Sequence, residues 1–297
     1  MDSKSVMAKF GDRISRAPAN TALRGADRIL IQNPSAGNGD FSEDLFRGFV
    51  PVLLPEVHAA LRHADDRATV AVWGGDGTCR TVAALTLGTS KVLLPCPGGT
   101  HNHFAKAAGF SSLNEVATAL ACPSSRTVDV GLVNDEPFLN NLAVGWYVDL
   151  VARRERYEQR MPRRIAKLIS VIMHMGSIRR LRVTIDGKPE RLWMLWIGNG
   201  EYSLEPGKMS QRPSLTGGKL DIRVLRADST FPKLKALLAV VMRRAEESHL
   251  IDQRLGTSCT LEFVASTVNV ALDGELVKVK PPLRIRTSRS LRLMNPN

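Results

Sequence analysis

Cysteine is scarce in this chain: Cys79, Cys96, Cys122 and Cys259 are the only four in 297 residues. No two of them stand at a CxxC or knuckle spacing, which excludes a zinc ribbon and a CxxC redox motif. So few thiols in a chain of this size argue against a disulfide framework and for a reducing, cytoplasmic compartment. Long apolar runs are also missing. Nothing approaches the roughly 20 residues that cross a bilayer, and the first residues lack the apolar core of a secretory signal. Aromatic residues make up only 5%. Trp and Tyr are not interleaved with Arg as on a base-stacking platform, so no nucleic-acid partner is expected. Neither GxxxxGK(S/T) nor GxGxxG occurs, which excludes a P-loop and the dinucleotide fingerprint. Negative charge is the last shortage: 29 Asp and Glu face 41 Lys and Arg, a net charge of +12. A surface of that sign favours polyanions such as nucleotides and anionic headgroups.

Hydrophobic residues at 43% and charged residues at 24% give the balance of a globular protein. The length is comfortable for two domains. Residues 1–27 carry scattered Arg and Lys with little apolar periodicity and read as a tail. Arg28–Gln32, Ala68–Trp73 and Val92–Leu94 are short apolar runs, each followed by a turn rich in Gly, Pro or Asn, and they predict buried strands. Helices are expected over much of Phe41–Ala64, broken near Val50–Leu54 and by Pro51 and Pro55, and over Cys79–Leu87, Asn102–Ala108 and Leu113–Ala121. Strand, glycine loop and helix in repetition spell a parallel α/β layer over residues 28–126.

The grammar changes near Arg126. Val128–Val133, Pro137–Val144, Leu181–Ile185, Leu192–Gly198, Leu220–Leu225, Thr260–Val264, Thr267–Leu272 and Leu283–Arg286 are short and often alternating. They predict an antiparallel, β-sandwich-like domain over 127–297, whose last strand could return to the first domain. Asp186-Gly187 is a hairpin signal, and helices are expected over Pro162–Met175 and Phe231–Glu247. Between Val151 and Arg191 there are 12 Arg or Lys against 4 Asp or Glu, a net +8 in 41 residues. An apolar stripe accompanies them at helical spacing. Either this is an ordinary amphipathic helix packing on the sheet, or it is a face for anionic membrane. An edge strand of the β-rich half offers a route to a homodimer.

Gly74-Gly75-Asp76-Gly77-Thr78 is the sharpest motif. Glycines without Cβ let backbone N–H groups approach a phosphate, and a helix beginning near Cys79 would point its positive end at the same place. Thr78 adds a hydroxyl. A carboxylate at Asp76 would repel phosphate unless it handles a cation or a proton. Two further loops repeat the pattern: Asn33-Pro34-Ser35-Ala36-Gly37 after the first strand, and Pro97-Gly98-Gly99-Thr100-His101-Asn102 after the third. Three such loops after successive strands predict one shared polyanion site, in the place where α/β sheets bind ligands.

With these motifs in order, the sequence resembles the catalytic domain of diacylglycerol-kinase-type lipid kinases. NPSAG, GGDGT and PGGTHNHFAKAAG carry the resemblance. DVGLVNDEPFLNNLAVG (129–145), IGNG (197–200), GGKLDIRVL (217–225) and VALDGELV (270–277) extend it over about residues 28–294. The resemblance implies a nucleotide domain followed by a β-rich lipid domain, ATP and Mg2+ as cofactors, and a membrane lipid as substrate of a cytoplasmic, peripherally bound enzyme. It places ATP along Gly74, Gly75, Asp76, Gly77, Thr78, Cys79 and Arg80, with Asn33, Ser35, Gly37, Gly99, Thr100 and Asn102 from the flanking loops. It makes Glu275 the proton acceptor, with Asp273 and Asp76 as further catalytic carboxylates. From the residues alone, Asp273-Gly274 is equally a hairpin turn pair.

The chain departs from the family pattern at several positions. His101 and His103 replace Gly and Asp, Arg80-Thr81 after Cys79 replaces Asn-Glu, and Gly145-Trp146-Tyr147 replaces Gly-Phe-Asp. Gly217 stands where an Asp helps hold a structural metal in some bacterial members, so that site is expected to be absent or altered. Two alternatives follow. GGDGT also fits an NAD kinase or another kinase of a soluble hydroxyl compound. The replacements fit a catalytically weak nucleotide- or lipid-binding relative.

Overall fold

The computed structural model describes residues 23–34, 41–148, 180–203, 212–227 and 251–296. It divides into two compact units, one running to Val128 and resuming at Arg289, the other spanning Asp129–Ser288. The helices expected over Pro162–Met175 and Phe231–Glu247, the basic stretch up to residue 179, and Ser35 and Gly37 of the first loop lie outside the described residues.

In the first unit, β1 (Arg28–Gln32), β2 (Val50–Leu53), β3 (Thr69–Gly74) and β4 (Val92–Pro97) run parallel in the order β2-β1-β3-β4. Leu293 of the last strand, β15 (Leu283–Met294), joins the sheet in parallel beside Leu93. β1, β3 and β4 are buried almost end to end, the pattern of a sheet covered on both faces. The helices are α1 (Val57–His63), α2 (Asp76–Thr86), α3 (His103–Ala108) and α4 (Leu113–Ala121). α2 buries Cys79, Val82, Ala83 and Thr86, an i, i+3, i+4, i+7 stripe. At the start of α4 the Glu115 carboxylate accepts the Ser112 amide at 2.6 Å. Hydrogen bonding, led by the Ser112 hydroxyl, holds the Glu115 carboxyl below its ordinary range.

Two sequence expectations change here. Val50–Leu53, expected as a break within helix, is a strand with only Val52 buried. It pairs with β1 alone among the described strands, an edge position where Pro51 costs no central ladder bond. α2 begins at Asp76 rather than near Cys79, with Gly75 as its N-cap. Asp76 is therefore a first-turn helical residue.

In the second unit the strands are antiparallel. β5 (Ser125–Val133), which begins in the first unit, leads to β6 (Glu136–Phe138), β7 (Asn141–Gly145), β8 (Leu181–Ile185) and β9 (Lys188–Asn199). Then come β10 (Leu220–Arg226), β11 (Ile251–Gly256), β12 (Ser258–Glu262), β13 (Val268–Leu272) and β14 (Glu275–Val279). β9 is shared: Lys188–Leu192 pairs with β8, Met194–Gly198 with β7. Its other edge takes β10, which also pairs with β11. One apolar core, including Leu142, Val144, Ile197, Leu261 and Ile285, packs between the ladders, so the unit is sandwich-like.

Three two-residue turns join strands with both residues at positive φ: Asn134-Asp135, Asp186-Gly187 and Asp273-Gly274. That is the requirement of a type I′ hairpin. The strand expected over Pro137–Val144 is divided in two. The Asp273 carboxylate takes the amides of Leu139 (2.8 Å), Asn140 (2.7 Å) and Asn141 (3.0 Å), which turns the chain between β6 and β7. β11 and β14 carry no uniform alternation and escaped the sequence reading.

Replacing Asp273 by Ala orphans those three amides and is expected to lower the unfolding free energy by about 2 kcal/mol. Denaturant titration checks it. A midpoint unchanged from the parent protein contradicts the bracketing role.

Burial pushes the Cys96 thiol from 9.0 to about 12, against a smaller lowering by a backbone hydrogen bond at Val72. Cys259 rises to about 11, by burial first and then the Asp186 charge, opposed by Arg254. Both folded values lie above the unfolded one, so the unfolded chain releases these protons first. The stability they contribute is full below about pH 9 and falls as pH rises toward the folded values. Unfolding measured from pH 8 to 11 should therefore show declining stability, with a shallower decline in Cys96→Ala. Equal slopes in the two proteins would refute it.

Candidate active site

The first unit brings the turns after β1, β3 and β4 together, and it does so backbone against backbone. A Cβ on Gly99 would lie 2.4 Å from the Gly75 Cα, and one on Gly98 would lie 2.9 Å from the Gly74 nitrogen. A Cβ on Gly74 would meet the Thr78 side chain at 2.6 Å. No side chain fits at these three positions. The glycines are needed by the close approach of the two turns, whatever ligand they also admit.

Side chains then tie the turns. Asn33 Nδ2 donates to Thr78 Oγ1 at 2.9 Å, joining the first turn to α2. Asn102 sits at φ 54, a left-handed position that Asn tolerates. Its amide grips Gly99 on both sides: the Gly99 N–H donates to Oδ1, and Nδ2 donates to the Gly99 carbonyl, each at 2.8 Å. The Asp76 carboxylate accepts the His103 amide at 3.1 Å and the Phe104 amide at 2.8 Å. The electrostatic conflict expected at Asp76 thus has a structural resolution. Its charge is turned toward the first amides of α3 and joins the second turn to the third.

What the arrangement leaves for an anion is backbone. The first amides of an α-helix have no acceptor within it, and no side chain caps Gly75 at the start of α2. Gly75 caps α2 and Gly77 lies in its first turn, and Thr100 and His101 are exposed on the neighbouring turn. Of the expected nucleotide contacts, Gly74, Gly75, Gly77, Gly99 and Thr100 line the converged turns. Asn33, Thr78 and Asn102 hold the turns to one another. Cys79 is 2% exposed and packs on the core face of α2. Arg80 is half-buried on the same helix. Trp73 is a participant the sequence reading missed. Its ring lies 2.9 Å from the position a Gly98 Cβ would take and packs edge-on to Phe41 at 5.3 Å. Its place at the end of a buried strand, one residue before Gly74, was the available signal.

Asp273 and Glu275 belong to the second unit. The carboxylate of Asp273 is bracketed by three amides, as described above. A carboxylate so engaged shapes a turn. Glu275 opens β14, opposite Leu272, and is exposed. Asp221, which follows the GGK segment, is fully buried and pairs with Arg223 at 2.7 Å. It also accepts Gln253 Nε2 at 3.0 Å and the Tyr202 amide at 3.2 Å. The Arg223 guanidinium lies over the Trp196 ring at 5.1 Å. A side-chain cation balances Asp221 here. Among the described residues no three His, Cys, Asp or Glu side chains gather to hold a metal ion.

Comparison with known proteins agrees with the fold and the motifs. Residues 27–133 match the diacylglycerol kinase catalytic domain. A Cronobacter sakazakii protein named "Probable lipid kinase YegS-like" is 26% identical over 281 residues, 85% of this chain and 90% of its own. A Pseudomonas aeruginosa protein of the same name is 30% identical over 165 residues, covering 53% of this chain and 54% of its own. The crystal structure of a candidate diacylglycerol kinase from Bacillus anthracis shares the fold, with a TM-score of 0.67 at 21% identity over 90% of this chain and 96% of that one. Residues 27–133 are thus similar to the diacylglycerol kinase catalytic domain, and the chain is similar along most of its length to a protein named as a probable lipid kinase.

Gly99→Ala must push the two turns apart. It is expected to destabilise the protein by about 1–3 kcal/mol and to weaken ATP binding at least tenfold. Gly217→Ala, where a Cβ meets nothing within 4 Å, serves as the tolerated control. Thermal melting with and without ATP reads both effects. Parent-like melting and binding in Gly99→Ala would show that the close approach is dispensable.

Proposed function

We propose that this protein is an ATP- and Mg2+-dependent lipid kinase that transfers the γ-phosphoryl group to a hydroxyl of a membrane lipid such as diacylglycerol or a sphingoid-like amphiphile. The observation that carries the reading is the packing of the Gly98-Gly99 turn on the Gly74-Gly75 turn. It sets a turn built of backbone beside the uncapped start of α2, an arrangement suited to a chain of phosphates. The relationship to lipid kinases along most of the chain supports the acceptor class.

In this reading the turns bind and orient the triphosphate, with Thr100 as a hydroxyl donor and Arg80 as a cation beside it. Bound Mg2+ screens the phosphate charge. Glu275 takes the proton of the attacking lipid hydroxyl as the new P–O bond forms and ADP leaves with the electron pair of the broken bond. Asp76 and Asp273 hold turns in place. The basic stretch from 151 to 191, at net +8, docks the enzyme on anionic membrane, where each Lys or Arg near the surface contributes about 1 kcal/mol.

Incubation with γ-32P-labelled ATP, Mg2+ and mixed lipid vesicles should yield a labelled lipid. Glu275→Gln should reduce the rate by about 100-fold or more while leaving ATP binding unchanged. Label appearing on NAD instead of lipid, or equal rates in the parent and Glu275→Gln, would overturn the assignment.

A further inference from the structure

The turn that packs on Gly75 carries two imidazoles side by side. The rings of His101 and His103 are stacked, with centroids 5.5 Å apart and planes 14° from parallel. Both residues are exposed. Between them Asn102 is buried and locked to Gly99, and the His103 amide is fixed to Asp76. The backbone carrying both rings is therefore held firmly against the glycine turn, so the rings belong to a built part of the site. Among the described residues, the charged groups on the elements packed against this turn are Asp76 and Arg80 of α2 and Lys106 of α3. Cys96 of β4 is a buried, neutral thiol. Asp76 is engaged with the two amides already named. Imidazole is the side-chain type whose charge changes between about pH 5 and 8, and this turn presents two of them.

We propose that His101 and His103 are phosphate-binding residues and that nucleotide binding is coupled to proton uptake through them. This rests on the nucleotide-binding reading above and adds to it the groups that set affinity. A polyanion bound along the glycine turns favours the protonated form of nearby imidazoles. As the triphosphate binds, a proton leaves the buffer for an imidazole nitrogen, and the resulting N–H donates to a phosphate oxygen. No covalent bond forms or breaks. Two neighbouring imidazolium groups repel each other in the free protein, and the phosphate charge offsets that repulsion. ATP affinity should consequently rise as pH falls through the imidazole range.

The test is calorimetric titration of the full-length protein with ATP and Mg2+ from pH 6 to 8, in PIPES and in Tris, whose ionisation enthalpies differ. The parent protein is compared with the double variant His101→Asn, His103→Asn, and with His103→Lys. ATP's own titration is common to all three and cancels in the comparison. The expected result is net proton uptake in the parent beyond that in the double variant, and an affinity difference between the two that grows several-fold per pH unit on acidification. His103→Lys should bind at pH 8 more tightly than the parent and with a flatter pH dependence. Parallel pH profiles and equal proton uptake in the parent and the double variant overturn the inference while leaving the kinase reading standing. Absence of ATP binding in all three proteins at every pH overturns the nucleotide reading, and this inference with it.

Discussion

Everything at the candidate site depends on one contact, the backbone of Gly98-Gly99 lying directly on that of Gly74-Gly75. The distances that a Cβ would make, 2.4 Å from Gly99 to the Gly75 Cα and 2.9 Å from Gly98 to the Gly74 nitrogen, are shorter than any real side chain tolerates. The contact holds because neighbouring groups leave little freedom around it. Asn102 grips Gly99, Asp76 grips the first amides of α3, and Asn33 reaches the Thr78 hydroxyl. Phosphate-sized anions are bound well by amides that are already in place, since ordering loose loops would consume much of the interaction energy.

Carboxylates recur as brackets for backbone. Asp76 joins two turns of the first unit, and Asp273 bends the chain between β6 and β7. Asp186 accepts the Thr260 amide at 2.8 Å, and Asp129 accepts the Gly218 amide at 2.6 Å. In a chain with 29 acidic residues against 41 basic ones, these negative charges are locally matched to N–H donors, and Asp221 to Arg223.

The architecture was legible in the sequence where the chemistry is local. Buried runs such as RILIQ read as strands because both faces of the parallel sheet are covered. Asp186-Gly187 read as a hairpin because two positive φ values are demanded within two residues. The three-turn site was legible too, since only glycine suits a backbone approach of this kind. Long-range partners were not. Nothing adjacent to Asp273 in sequence shows that its carboxylate meets amides more than 130 residues away, so its geometry was open between a base and a turn. Asp76 likewise read as an acid beside phosphate because its partners, His103 and Phe104, lie on a different turn. The start of α2 was placed three residues late because Gly75, a residue without a capping side chain, is its N-cap. β2 was hidden by Pro51, which suggests a break until the strand is known to lie at an edge.

The measurement that bears most directly on the convergent turns is amide hydrogen exchange with and without ATP and Mg2+. The account predicts slowed exchange concentrated at Gly75–Thr78 and at Gly99–His103, appearing together at the same nucleotide concentration. Protection of one segment without the other, or protection confined to other parts of the chain, would contradict it.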